Sequence, residues 1–404
     1  MFKFARVLYA LGVIAALAGA PLVTTLRLAD RVDHVDLLAR EPMVVEAHDG
    51  GLFVSGYGAG RPTLWKSVDH GANWKLVNVG TAEGGAVGNS DVDLAVAPDG
   101  TLYYLNMTFD AKKLEGTRID IGVSPDSGAH WRWRTLSENR FDDRPWVAVS
   151  SDGAAHVIWN DGSGVRHSVS RDAGATWTQP VRISPKGGSS HLAVGPNREV
   201  AARVAPASAS GNKFDPGIDF IVVSTDGGTT WKTHNAPGER QWSADLDEFP
   251  PRWVEPIAWD AEGKLFYFWT NHNELWLANS VDQGETWKTW RLGESKEPAY
   301  FPYLVAHGKG ELACAWFSGR GANIQAQAGM IFAGEDDKPP RLVESTPFQP
   351  DVWRRNATDR DTGGEYLGIT FLRRGGFAVV SPIQNPKDQR FGFTWMRFEY
   401  SEKP

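Results

Sequence analysis

Ser224-Thr225-Asp226-Gly227-Gly228-Thr229-Thr230-Trp231 decides how this chain folds. The Asp carboxylate and Ser hydroxyl are acceptors for nearby backbone N–H groups, and Gly tolerates the positive φ of a tight turn. Trp then re-enters a strand and buries a large ring. The same S-x-D-x-G-x-x-W pattern stands at Ser67–Trp74, Ser124–Trp131, Ser170–Trp177 and Ser280–Trp287. The five copies are 46 to 57 residues apart. A period in that range indicates one supersecondary unit repeated as an array.

A second periodic element runs in phase with the first: an apolar strand, a turn, and another apolar strand. Its copies begin at Pro42, Leu94, Pro145, Leu192, Pro256, Tyr303 and Tyr366, for example Pro42-Met43-Val44-Val45 with Leu52-Phe53-Val54. Small and β-branched residues suit strands buried on both faces. Each unit then reads as inner strand, second strand, third strand, turn and outer strand, and seven such units fit the 404 residues. The seventh lacks an outer strand, and residues 34–38 are expected to supply it and hide two free sheet edges. The fold class is therefore an all-β propeller of four-stranded antiparallel blades, with seven blades preferred and closure by an N-terminal strand.

The repeated turn is the Asp box, and the chain resembles the sialidase (neuraminidase) superfamily of β-propellers over about residues 40–400. Sialidase catalytic domains have six blades, so six is the alternative count. The resemblance implies that Asp69, Asp126, Asp172, Asp226 and Asp282 lie on outer hairpins and serve the fold, away from the central pocket.

Composition bounds the partners. The formal net charge is −7 with both signs interspersed, and no basic stripe marks a nucleic-acid surface. Cys314, the single cysteine, stands in an apolar strand and reads as a small buried residue. Lys3 and Arg6 precede an apolar run from Val7 to about Val23, which has the form of a secretory signal. Ala18-Gly19-Ala20 offers a cleavage site, although Pro21 disfavours it and leaves an uncleaved anchor as the alternative. The expected organisation is a signal peptide or anchor at 1–23, a connector at 24–33 and a propeller at 34–404. Location is expected to be periplasmic or secreted, with membrane attachment only through the N-terminal segment.

A propeller builds its pocket over the axis from residues at the starts of inner strands and the ends of second strands. The starts carry Arg40, Glu41, Asp91, Asp93, Asp142, Asp143, Arg144, His191, Glu255, Tyr303, Glu365 and Tyr366; the ends carry Asn160, Asp161, Asn271, His272, Arg320, Asn385 and Arg390. Arg40-Glu41-Pro42 resembles the family's Arg-x-Pro motif, Glu255-Pro256 the segment of the catalytic Glu, Arg320 a later carboxylate-binding Arg, and Tyr366 the Tyr nucleophile. The resemblance implies an exo-acting, retaining hydrolase for an acidic sugar such as sialic acid. Tyr366 would attack, Glu255 would take its proton, and Asp143 or Asp93 would be acid and base. Arg40, Arg144, Arg320 and Arg390 would grip the anion, with His272 also against substrate. Two departures stand: no Arg follows the strand after Glu255-Pro256, and no Asp stands in Ser55–Arg61. Asp142-Asp143-Arg144-Pro145-Trp146 is similar to a segment of exported bacterial sialidase-like proteins of unassigned activity.

Each of these residues also has a plain structural role open to it. Glu255 can pair with Arg252, Tyr366 can be an inner-strand aromatic, and Asp143-Arg144 can be a turn and rim pair. The rival reading is a non-catalytic propeller that binds a glycan or protein. A third is a polysaccharide lyase with His272 and Tyr303 as base and acid. No cofactor or metal is implied; Asp359-Arg360-Asp361-Thr362-Gly363 has only part of a calcium loop and reads as a solvated segment. Residues 106–119 and 205–218 read as surface loops.

Overall fold

Each Asp box closes the hairpin between the third and outer strands of a sheet, and the sheet strand order shows how far that unit repeats. The computed structural model describes residues 22–403 apart from 59, 209–214, 243–251, 253, 321–323, 335–337, 349–364, 386 and 389. Among the described residues there is no helix, and seven four-stranded antiparallel sheets account for nearly all the strands. The inner strands are Arg40–Glu46, Ser90–Val96, Asp142–Val149, Gly188–Val194, Ile257–Trp259, Ala299–His307 and Gly368–Phe371. Each packs against the inner strands of its two neighbours, and the seventh packs against the first. The chain is a seven-bladed β-propeller.

Apolar layers between blades hold the ring. Second strands such as Leu265–Asn271 and Glu311–Ser318 are buried over almost their whole length, because a neighbouring blade covers each face. Their aromatic side chains, Trp159, Tyr267 and Trp316 among them, fill the widening space away from the axis. Cys314 belongs to one of these layers, and burial pushes its thiol up.

The ring closes through Leu22–His34, which pairs antiparallel with Phe391–Lys403 as the outer strand of blade 7. This corrects two expectations. The closing strand ends at His34, where it was expected to begin, residues 35–37 turn away from it, and the stretch 24–33 is part of the propeller. Its disguise has a physical cause. An outer strand keeps one face in water, so it carries Arg27, Asp30, Arg31 and Asp33, and register shifts at Val23/Thr25 and Leu28/Asp30 break the alternation. The charges are matched across the pair, Arg27 to Glu399 and Arg397 to Asp30. Residues 106–119 are also corrected: most of them lie in the long hairpin of Leu102–Asp110 with Glu115–Ser124. Of the expected loop at 205–218, Gly217–Ile218 forms a strand paired with Gln241–Trp242. The Asp359–Gly363 segment lies outside the described residues.

Inner strands start, and second strands finish, at one end of the ring. The Asp boxes follow the third strands and so occupy the opposite end. Their chemistry is uniform. In all five, Ser Oγ donates to Asp Oδ1 and accepts the Gly N–H, as in Ser224–Asp226 at 2.7 Å and Gly228–Ser224 at 2.8 Å. Asp Oδ1 accepts a second N–H four residues on, at 2.8 Å from Thr230. The Gly φ values cluster between 75° and 90°. These bonds hold the Asp69, Asp126, Asp172 and Asp226 carboxyls at about 2.

Candidate functional site

At the end opposite the Asp boxes, five inner strands carry a register shift near their first residues. The shifts fall at Arg40/Met43, Ser90/Val92, Asp143/Trp146, Ser190/Leu192 and Tyr300/Tyr303. A bulge re-aims a side chain without ending the strand. The residues it releases are Glu41, Asp91, Arg144, His191 and Phe301, and Glu41, Arg144, His191 and Phe301 sit in the left-handed region at φ 52°, 48°, 58° and 47°. Left-handed backbone at non-glycine residues is strained, and it recurs here at one level of the ring.

The result is an axial cup. Tyr366 lies at its floor, 1 % exposed, and its hydroxyl donates to Asp91 Oδ2 at 3.1 Å. Its ring leans on Trp146 with centroids 5.1 Å apart and on Tyr303 at 6.4 Å, and His191 stacks on Trp146 at 4.7 Å. Above them, Arg144 Nη1 pairs with Glu365 Oε2 at 3.0 Å, Glu41 Oε1 accepts the Glu365 N–H at 3.2 Å, and Tyr57 donates to Glu41 Oε2 at 3.0 Å. Blades 1, 2, 3 and 7 all contribute.

Carboxylates crowded in a dry cup cannot all ionise. Burial, reinforced by Asp91, pushes the Glu41 and Asp143 carboxyls well above the usual range, Glu41 to about 8 and Asp143 to about 7. Burial also raises the Tyr366 phenol. It lowers His191 to about 3, so that imidazole is neutral. The cup therefore combines a phenol hydrogen-bonded to a carboxylate with carboxyl groups able to donate protons. That is an acid–base set.

A second cluster lies between blades 4 and 5, at the same end of the ring, where Arg203 Nη1 also donates to Ser190 Oγ at 3.1 Å. Arg203, fully buried in the apolar strand Val200–Ala205, reaches Asp219 at 2.6 Å and Glu255 at 3.3 Å. Arg240 meets both Glu255 oxygens at 2.8 and 2.6 Å, and Arg252 meets Asp219 at 2.6 Å and Glu255 at 3.8 Å. Tyr267 donates to Glu255 Oε2 at 2.5 Å, and Trp242 Nε1 to Asp219 at 2.8 Å. Burial alone would raise Glu255, but Arg240, Arg203 and Arg252 hold it below the ordinary range. The cluster ties the short pair of Gly217–Ile218 with Gln241–Trp242 to Glu255 at the start of blade 5.

The residues singled out in the sequence divide accordingly. Tyr366, Asp143 and Arg144 meet in the cup. Glu255 belongs to the other network, so the structure does not bring it to Tyr366. Asp93 is buried, accepts the Val147 N–H at 2.8 Å, and ties blade 2 to blade 3; burial pushes it to about 7. Arg40 points away from the axis, with its guanidinium 6.0 and 5.7 Å from the ring centres of Tyr57 and Phe391. Arg390 is exposed and pairs with Asp388 at 2.5 Å. Arg320 is exposed just beyond Glu311–Ser318, and His272 is exposed at the tip of the Asn271–Glu274 hairpin. Asp91, Glu41 and Glu365 were legible as strand-start residues but carried no motif. Arg203 and Arg240 were missed, although an Arg between apolar residues in Ala202-Arg203-Val204 was a usable signal. Among the described residues no group of three or more His, Cys, Asp or Glu is arranged to hold a metal.

Residues 222–233 match the family model described as BNR/Asp-box repeat. No curated protein matches the chain. Several solved structures share the fold. A protein of unknown function from Dyadobacter fermentans is 15 % identical, covering 94 % of this chain and 100 % of its own, with a TM-score of 0.50. A PL25 ulvan lyase is 11 % identical, covering 91 % and 95 %, with a TM-score of 0.55. The intramolecular trans-sialidase of Ruminococcus gnavus is 11 % identical, covering 90 % and 94 %, with a TM-score of 0.44. At these identities the likeness speaks for the fold alone. The chain is a β-propeller that carries Asp-box repeats, a fold it shares with the polysaccharide lyase.

Proposed function

We propose that this protein is a glycan-active propeller hydrolase, exo-acting on an acidic sugar held in the axial cup, with Tyr366 as nucleophile in a retaining mechanism. The observation that carries this reading is the Tyr366 hydroxyl donating to Asp91 Oδ2 at 3.1 Å in a cup whose neighbouring carboxyls favour protonation. A buried phenol attacks only if its proton leaves as the new bond forms. Asp91 takes that proton, in the place first assigned to Glu255. Asp143 or Glu41 gives a proton to the departing oxygen, and the same group then activates water to release the sugar from the tyrosine. Arg144 faces the reacting centre with a positive charge. The ulvan lyase, described in complex with -[GlcA(1-4)Rha3S]-, supports the use of this scaffold for a saccharide with an acidic unit.

Fluorogenic sialosides and uronides test the reading directly. Turnover is expected on one of them, with the anomeric configuration retained by NMR. Tyr366→Phe is expected to lower kcat by about 10³-fold or more. Turnover unchanged in that variant removes the mechanism.

One observation favours a second reading, a glycan-binding module without turnover. The Arg144 guanidinium is already engaged by Glu365 at 3.0 Å, and among the described residues no three-Arg grip meets at Tyr366. Glycan binding with no turnover on any probe would establish it. The apolar run from Val7 supports a site of action outside the cytoplasm, which fractionation of the expressed protein tests.

A further inference from the structure

Beside the cup, where the last blade meets the first, lies a cavity of about 240 Å³ lined by Leu38, Arg40, Tyr57, Gly58, Arg390 and Phe391 among others. The bulge that releases Glu41 toward the axis also sends its predecessor elsewhere. Arg40 pairs with Tyr57 in the ladder, the next pair is Met43 with Ser55, and Glu41 lies between them at φ 52°. Successive residues therefore serve two walls: Glu41 the cup, Arg40 the seam.

The seam cavity has a consistent chemistry. Two guanidiniums border it, one from blade 1 and one from blade 7. The aromatic faces of Tyr57 and Phe391 flank Arg40 at 6.0 and 5.7 Å. Such faces stack on the apolar face of a sugar ring while the guanidinium forks onto an anion. Acidic groups temper the charge: Asp388 holds Arg390, Glu41 lies behind Tyr57, and Asp36 accepts from Asn385 at 2.9 Å nearby. Tyr57 forms the partition, its ring toward the cavity and its hydroxyl on Glu41 at 3.0 Å. An occupant of the cavity is thus one side chain away from an occupant of the cup.

We propose that this cavity is an anion subsite, in which Arg40 and Arg390 hold a carboxylate or sulfate ester on the sugar unit next to the one in the cup. The inference rests on the reading that the cup takes a sugar. It differs from a carboxylate grip at the reacting carbon, because these two arginines meet at the seam and not at Tyr366. The substrate class it names is an oligosaccharide with its anionic group on a neighbouring unit.

Binding is measured by calorimetry on the Tyr366→Phe protein, so that turnover plays no part. The probes are three disaccharides of one backbone: uncharged, bearing one uronate, and bearing one sulfate ester. A charged probe is expected to bind at least about tenfold tighter than the uncharged one, an advantage that shrinks with added salt. The uronate and sulfate arms decide which anion is preferred. Arg40→Gln with Arg390→Gln is expected to erase the advantage and leave the uncharged probe unaffected. Arg390→Gln alone changes an exposed side chain and keeps the fold, and it is expected to remove part of the advantage. Equal binding of all three probes, or equal loss of all three in the variants, overturns the proposal, as does binding of none. Charge-selective binding in a protein that never turns over any glycoside overturns the hydrolase reading and leaves the subsite standing.

Discussion

The two ends of the ring use the same residue types to opposite purposes. At the Asp-box end, five carboxylates sit in five nearly identical turns, each satisfied within four residues along the chain. Their own N–H and hydroxyl donors keep them ionised. At the cup end, the carboxylates meet partners from distant blades: Tyr366 and Asp91 are 275 residues apart, and Glu365 and Glu41 are 324 apart. There, burial and like charge push protons on. The position that repeats in five of the seven blades serves the fold. The equivalent strand-start position, which carries Glu, Asp, Arg, His or Phe as it passes from blade to blade, forms the pocket.

Substitutions at each end sharpen this contrast. The largest effect is expected at Glu255. Glu255→Ala leaves Arg203 and Arg240 without their shared carboxylate in a buried site, and a loss of about 3–5 kcal/mol of stability is expected by denaturant unfolding. A loss below 1 kcal/mol would mean that the cluster is hydrated and does not hold the insert. At the Asp-box end, Asp226→Ala removes one turn's acceptors at the surface. About 1–2 kcal/mol is expected, with glycan binding unchanged. A change in binding there would contradict the separation of the two ends.

A third effect concerns pH. Asp93 titrates near 7 in the folded protein because burial raises it, against about 4 in the unfolded chain. Between those values the folded state holds the extra proton. Its contribution to stability is therefore complete at low pH and is lost as pH rises from about 4 through 7. Thermal melts from pH 4.5 to 8 are expected to show this decline, and Asp93→Asn is expected to flatten it. An unaltered slope in the variant would assign the effect to Glu41 and Asp143 instead.

The architecture was largely readable because it rests on repetition. Ser, Asp, Gly and Trp recur at fixed offsets for local reasons, and seven apolar pairs follow in phase. The site was readable only by level. Strand-start positions mark the cup end, and Tyr366, Asp143 and Arg144 stand at such positions. What the order of residues does not reveal is the bulge. Asp91 and Asp93 are two apart and belong to one strand face by simple alternation, yet the register shift at Ser90/Val92 gives Asp91 to Tyr366 and Asp93 to the next blade. Glu255 misled for the opposite reason: its motif was local, while Arg203 and Arg240 that claim it come from elsewhere in the chain.

The strand Leu22–His34 completes the ring against Phe391–Lys403, so a segment near one end of the chain waits for a segment near the other before the circle locks. Such a junction is the natural place for the ring to unzip. The Arg40–Arg390 cavity lies across it, joining first blade to last. A bound saccharide there would act as a clasp, its affinity added to the resistance of the whole ring against opening.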